Sequence, residues 1–350
     1  MIIPNCVVRV DCLTYNHSEY IVDALNGFCL QETRFPYICT IIDDASTDGT
    51  PDIINRYLQD HFNIQEPVDV EYEETDDYSQ VLVQHKKNRN CYFRVKYLKY
   101  NHFRAKKTKQ HYFDEIVDAK YIALCEGDDY WIDPLKLQKQ VDYLENNLDY
   151  GMVTTASKIY VQGIGMKEGS FGHAYRGMED LLVGNYVFNA SVLKKKSLED
   201  RYIHEIGYHT DWKMGDWPRI LHCAIVSKIG FIEEPMSVYR VLPNSASHSD
   251  DFNKFKAFNE SSVAVSKWFI NKYQLDAEKL DPLLDNWLHR RLLLKACSVG
   301  NIEYVNQNKR KVSGLSVKER ITVFLSSKYF TFALYGYYLR VRKTVNRLFN

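Results

Sequence analysis

None of the eight cysteines pairs with another in a Cys-x-x-Cys spacing, and no zinc-ligand pattern occurs among them. Several sit inside apolar runs, where a free cysteine behaves as a small hydrophobe, so reduced thiols in a cytosolic protein are the expectation. The opening Met1-Ile2-Ile3-Pro4-Asn5 lacks the basic start and long apolar core of a signal peptide. No stretch approaches an uninterrupted transmembrane span. Net charge is also missing: 45 Lys and Arg balance 45 Asp and Glu, which offers no argument for a nucleic-acid partner. There is no internal repeat and no low-complexity segment.

What is present suits a large globular chain. The 350 residues are enough for one large or two modest domains, and 45% are hydrophobic. Aromatics make up 14%, dominated by 26 tyrosines, which suit sugar or ring stacking as well as core packing.

The N-terminal third alternates strand and helix. Residues 7–13 form a β-rich run ending at Thr14-Tyr15-Asn16-His17. Ser18 reads as the cap of a helix whose apolar residues Ile21, Val22, Leu25, Phe28 and Cys29 share one face. Residues 37–42 read as a second strand. A polar turn, 43–49, and a helix opened by Thr50-Pro51 follow. Such alternation implies an α/β fold with a parallel sheet and right-handed crossovers.

The pattern then breaks at a charged insertion over about 64–94, acidic first and basic after. It reads as a solvated hairpin, or as a basic surface facing the phosphates of a nucleotide. A strand at 95–98 would place Asn101, His102 and Arg104 at its ligand-facing end. Further expectations are a helix at 135–147, a strand at 152–156, irregular chain at 157–186, a strand at 187–193 and a helix at 201–208. A helix from Asp216 to a stop at Gly230, short strands at 231–232 and 237–240, and helices from about 253 complete the reading.

The most informative stretch is Cys125-Glu126-Gly127-Asp128-Asp129-Tyr130-Trp131, directly after the apolar run 121–124. A buried strand there would put two carboxylates at its C-terminal end, where open α/β sheets bind ligands. Hard oxygen ligands suit Mg²⁺ or Mn²⁺, and either cation suits a diphosphate. A plain turn before the helix signal Asp133-Pro134 competes with this reading.

Taken together, the motifs resemble family 2 glycosyltransferases of the GT-A fold over roughly residues 5–245. They are Thr14-Tyr15-Asn16, the run Asp43 to Thr50, Lys120-Tyr121-Ile122-Ala123, Glu126 to Trp131, and Lys136 to Gln140. Gly215-Asp216-Trp217-Pro218 and Ser237-Val238-Tyr239-Arg240 complete the set. The tryptophan-containing variants look most like bacterial enzymes of surface-polysaccharide synthesis.

The resemblance implies a GT-A catalytic domain over 1–245, with a donor half to about 133 and an acceptor half over 134–245. A helical region, 246–350, follows, with a basic, aromatic tail at 318–350. It also implies roles. Asp44 would accept the N3–H of uracil, and Thr14 and Tyr15 would line the base or ribose pocket. Asn101 would lie on the donor side. Asp128 would contact ribose or metal, and Asp129 would be the direct ligand of Mn²⁺ or Mg²⁺. Asp216 would be the catalytic base, with Asp211 as rival and helix capping as the competing duty of Asp216. Arg240 would bind phosphate or brace Asp216, and His248 would close over the diphosphate or cap a loop. Relatives often carry Gly-rich, Asn-bearing sequence where this chain has residues 101–107, which leaves phosphate contacts of Arg104 and Lys106 open.

The implied activity is inverting transfer of a sugar from a nucleotide-diphosphate donor, with a UDP-sugar preferred, to a hydroxyl of a glycan or lipid-linked acceptor. A non-catalytic nucleotide- or glycan-binding scaffold of the same fold is the alternative. A sugar-phosphate nucleotidylyltransferase is less favoured, because its Gly-rich N-terminal loop with Arg and Lys is missing. The expected location is the cytoplasm. Peripheral contact of the tail with the inner face of the membrane and packing of the tail on the protein are both open, as is a homo-oligomer.

Overall fold

The computed structural model describes residues 5–65, 70–109, 112–113, 119–242 and 249–327. One mixed sheet organises the chain. Its strands are β1 (Val8–Thr14), β2 (Tyr37–Asp43), β3 (Val70–Glu74), β4 (Tyr78–Gln84), β5 (Cys91–Leu98), β6 (Tyr121–Leu124), β7 (Tyr130–Trp131), β8 (Tyr150–Val161), β9 (Gly165–Met166), β10 (Leu193–Lys195) and β11 (Lys228–Val241). They lie in the order β3-β4-β5-β2-β1-β6-β10-β8-β11-β7, with β9 paired to β8. Strands β5, β2, β1 and β6 run parallel. Every residue of β2 is buried, as a central strand covered on both faces requires.

The helices are α1 (Ile21–Cys29), α2 (Thr50–His61), α3 (Lys136–Asn146), α4 (Met178–Val183), α5 (Lys196–Glu205), α6 (Asp216–Val226), α7 (Phe252–Lys272), α8 (Ala277–Val299), α9 (Ile302–Asn308) and α10 (Val317–Ser326). In α1 the buried Ile21, Ala24, Leu25 and Phe28 recur at helical spacing. A methyl group at Gly27 would lie 2.8 Å from the Trp131 backbone nitrogen, so only glycine lets α1 settle on β7. Trp131 is buried there, edge-on to Phe28, and its Nε1 donates to the Ala190 carbonyl at 2.9 Å. A second core joins α6, α7 and α8 through Trp217, Leu221, Phe269 and Leu284.

Several local expectations are corrected. Ser18 does not cap α1. Its backbone N–H donates to Asp48, and the Tyr20 and Ile21 N–H groups bond the His17 carbonyl instead. Gly49, in the left-handed region, precedes α2, and Asp48 accepts from the Thr50 N–H. Residues 70–84 are not a solvated hairpin throughout: β3 is exposed, but β4 is almost wholly buried between β3 and β5. Residues 189–191 form a single 3₁₀ turn before β10. Gly230 stops no helix; it lies inside the continuous β11, facing the Tyr143 ring.

Of the 318–350 tail, residues to Ser326 belong to α10, whose Val323 packs with Leu293, Ala296 and Cys297 of α8. Residues 328–350, and His248, lie outside the described residues. Among the described residues no helix is long and apolar enough to cross a membrane. All eight cysteines are free thiols.

Candidate active site

Parallel strands end on one side of a sheet, and here those ends carry the acids. Thr14 closes β1 directly opposite Asp43, the last residue of β2. The next residue, Asp44, donates its N–H to the Thr14 carbonyl at 3.0 Å. The turn after β6 is seated on β1 through the Gly127 N–H, which donates to Leu13 O at 2.9 Å. A Cβ on Gly127 would stand 2.7 Å from Thr14 Oγ1 and 2.9 Å from His17 Nδ1. Both of those atoms are buried without a hydrogen-bond partner.

The acids at the end of β2 have different duties. Asp43 accepts the N–H and hydroxyl of Ser46, which folds the turn. Burial raises its pKa against those bonds. Asp44 accepts the His102 N–H at 2.7 Å on one oxygen, and the Phe103 N–H (3.2 Å) and Lys109 Nζ (2.9 Å) on the other. Asn101 donates to the Asp44 carbonyl at 2.8 Å and accepts the Arg104 N–H at 2.7 Å. Asp44 and Asn101 therefore fasten the loop after β5 to the end of β2. Tyr15 lies nearby, with the Arg104 guanidinium 5.8 Å from its ring centre.

The two adjacent acids after β6 also diverge. Asp129 is 4% exposed, and its Oδ1 accepts the Arg240 N–H at 2.7 Å. Burial, then the neighbouring charges of Asp128 and Glu126, push its pKa well above the usual carboxylate range. Arg240 returns the contact: its Nε donates to the Asp128 carbonyl at 2.8 Å, and its Nη2 to Asp23 at 2.7 Å. Tyr20, Tyr130 and Tyr160 surround its guanidinium. Asp128 is half-buried, and no hydrogen bond to its carboxylate is made among the described residues.

Beside this shelf opens a cavity of about 1320 Å³, lined by Glu126, Asn189 and Asp216 among others. Asp216 opens α6, yet Gly215 is the N-cap and no side chain caps the helix, so the competing capping duty is unfilled. Asp211 is exposed and does not line the cavity. Glu126 accepts from Asn189 Nδ2 at 2.6 Å. Burial pushes its pKa up to about 7, against that bond, and the charges of Asp128 and Asp216 add to the rise. Thr14, Tyr15, Asp44, Asn101, Asp128, Asp129 and Arg240 lie outside the cavity lining.

Sequence reasoning gave Glu126 no role, although it stands two residues before Asp128 in the same turn. It also missed the group behind Asp216. Arg219 donates to the Gly215 carbonyl at 2.6 Å and to Glu199 at 2.8 Å, and Lys194 donates to the same Glu199. These residues come from three separate elements, and no local spacing announces them.

With this geometry in view, residues 13–72 match the family model described as Glycosyl transferase family 2. That segment resembles glycosyl transferase family 2. The sheet and its flanking helices have the GT-A arrangement. The chain superimposes on the mannosyltransferase PcManGT of Pyrobaculum calidifontis, solved with GDP-Man and Mn²⁺, at a TM-score of 0.51. Identity there is 14%, over 95% of this chain and 87% of the other. The S. aureus TarS fragment 1-349, solved with UDP, matches at a TM-score of 0.47 and 12% identity, over 92% and 90% of the two chains. In sequence, the uncharacterized protein Rv1520 of Mycobacterium tuberculosis and Mb1547 of Mycobacterium bovis are each 29% identical over 245 residues. That match covers 68% of this chain and 59% of either relative, less than two thirds of their length.

Proposed function

We propose that this chain is an inverting glycosyltransferase that moves a sugar from a nucleotide-diphosphate donor to an acceptor hydroxyl. One observation carries the reading. Two acidic centres lie near enough to act together on Glu126, Asp128 in the turn after β6 beside the cavity and Asp216 lining it at the start of α6, and no hydrogen bond to either carboxylate is made among the described residues. In this role Asp216 takes the hydroxyl proton while the acceptor oxygen bonds the anomeric carbon and the bond from that carbon to the diphosphate breaks. Attack from the side opposite the leaving group inverts the centre.

A divalent cation, Mn²⁺ or Mg²⁺, fits the donor set. Among the described residues no three His, Cys, Asp or Glu side chains converge on a metal position. The Asp128 carboxylate, with no hydrogen bond among the described residues, offers a hard oxygen ligand that suits a cation taking its other oxygens from diphosphate and water. Asp128 would hold it rather than the expected Asp129, whose oxygen is tied to β11. Bound there, the cation supplies neutralisation of the charge on the departing diphosphate. The fold neighbour's GDP-Man and Mn²⁺ agree with this choice.

A uracil donor is retained in the proposal. A carboxylate offers about four acceptor positions, and three donors occupy Asp44, leaving one for the N3–H. A glycan or lipid-linked saccharide is the proposed acceptor. NMR of the transfer product tests the mechanism: an inverted anomeric centre supports it, and a retained centre overturns it.

A further inference from the structure

The wall of the cavity beyond Asp216 is built by the loop after α5 and the first turns of α7. Lys213, three residues before Asp216, lines it from the loop, and its backbone N–H is held by Ser261 Oγ of α7 at 3.1 Å. Lys254 lines it from α7. Both lysines are exposed, and neither pairs with a carboxylate among the described residues. Tyr208, 47% exposed, and Trp212 line the same wall, with His209 stacked on Trp212 at 3.9 Å.

The charges of the cavity do not cancel. Lys109 and Arg219 already serve Asp44 and Glu199, and Asp11 serves Arg9. What remains is Glu126 and Asp216 against Arg104, Lys106, Lys107, Lys213 and Lys254, Lys107 donating only to the Tyr100 hydroxyl among the described residues. A donor diphosphate with its divalent cation is close to neutral, so it does not absorb this excess. Arg104 and Lys106 lie on the loop after β5, whereas Lys213 and Lys254 belong to separate elements, the loop after α5 and helix α7.

We propose that this wall binds an acceptor that carries a phosphate, its sugar ring laid against the exposed Tyr208 and its phosphate on Lys213 and Lys254. The inference rests on the transferase reading and deepens it by naming the acceptor class. Aromatic faces take the apolar face of a sugar ring, while two unpaired ammonium groups favour an anion in a cleft partly shielded from water. A phosphate esterified to a soluble glycan and the phosphate of a lipid headgroup share this chemistry.

The test uses the full chain and three probes: maltotetraose, maltotetraose monophosphate, and phosphatidylcholine vesicles with or without phosphatidylglycerol. Binding is measured with and without added salt, for wild type and K213A/K254A, with thermal unfolding as the folding control. The monophosphate is expected to bind at least about tenfold more tightly than neutral maltotetraose, a preference of electrostatic origin that weakens with salt. The double variant should lose the preference. If phosphatidylglycerol vesicles alone show lysine-dependent binding, the lipid headgroup is the source. Equal binding of both saccharides with no vesicle binding, or a preference that survives in K213A/K254A, overturns the proposal. Nucleotide binding is titrated separately, so failure of the transferase reading is seen apart from failure of the phosphate wall.

Discussion

Asp129 accepts the backbone N–H of Arg240 at 2.7 Å, and this single bond gives two adjacent carboxylates different lives. It ties the turn after β6 to a strand more than a hundred residues away. One oxygen of the buried Asp129 is committed to that tie, while the half-buried Asp128 carboxylate accepts no hydrogen bond among the described residues and its carbonyl is held by the same arginine. The Arg240 side chain braces the Asp128-Asp129 turn and bonds Asp23, and no bond from it to Asp216 is made among the described residues.

Asp216→Asn should bind nucleotide as wild type does and lose transfer. General-base catalysis is worth at least about a hundredfold in rate, and the amide cannot take the proton. Single-turnover transfer beside nucleotide titration reads both quantities. Full activity in the variant would move the base elsewhere in the cleft.

Glu199→Gln should destabilise the fold by about 3 kcal/mol at neutral pH, the usual cost of breaking a buried ion pair. Burial alone would raise the Glu199 pKa, but Lys194 and Arg219 outweigh it and hold the carboxyl down to about 2. Its stabilisation is therefore complete above the ordinary glutamate value and fades as pH falls from about 5 toward 2. Urea unfolding at a series of pH values should show the gap between variant and wild type narrowing on acidification. A gap that is flat with pH would mean that the charge contributes little.

Asp44→Asn should loosen the loop after β5 as well as weaken nucleotide binding. The variant loses the ion pair with Lys109, and its single amide oxygen can serve the His102 or the Phe103 N–H but not both, since they bond different oxygens of Asp44. Faster amide exchange over residues 101–109, together with weaker UDP binding, is the expected result. Unchanged exchange would show that Asp44 does not fasten the loop.

Much of the donor half was legible because its apolar runs are short, pure and bounded by polar turns. Residues 7–13, 37–42 and 121–124 became β1, β2 and β6, and parallel pairing then brought Thr14, Asp43 and the 126–129 turn to one edge. Strand β4 was hidden by the acids before it and the lysines after it, although its own residues are buried. Strand β11 was read as helix stop and fragments because Gly230 and Pro235 look like breaks. In the fold, Gly230 admits the Tyr143 ring and Pro235 falls at a register shift. The separate fates of Asp128 and Asp129 could not be read locally, since the group that decides them belongs to β11. The Lys194–Glu199–Arg219 cluster behind Asp216 is equally non-local.

The most direct test of the account is calorimetric titration of UDP and other nucleoside diphosphates, with and without Mn²⁺, into wild type, Asp128→Asn and Asp129→Asn. The account predicts metal-dependent binding to wild type and to Asp129→Asn, whose amide oxygen can still accept the Arg240 N–H. It predicts at least about a tenfold loss, or about 1.4 kcal/mol, in Asp128→Asn. Metal-dependent binding that survives in Asp128→Asn, or no binding of any diphosphate to wild type, would contradict it.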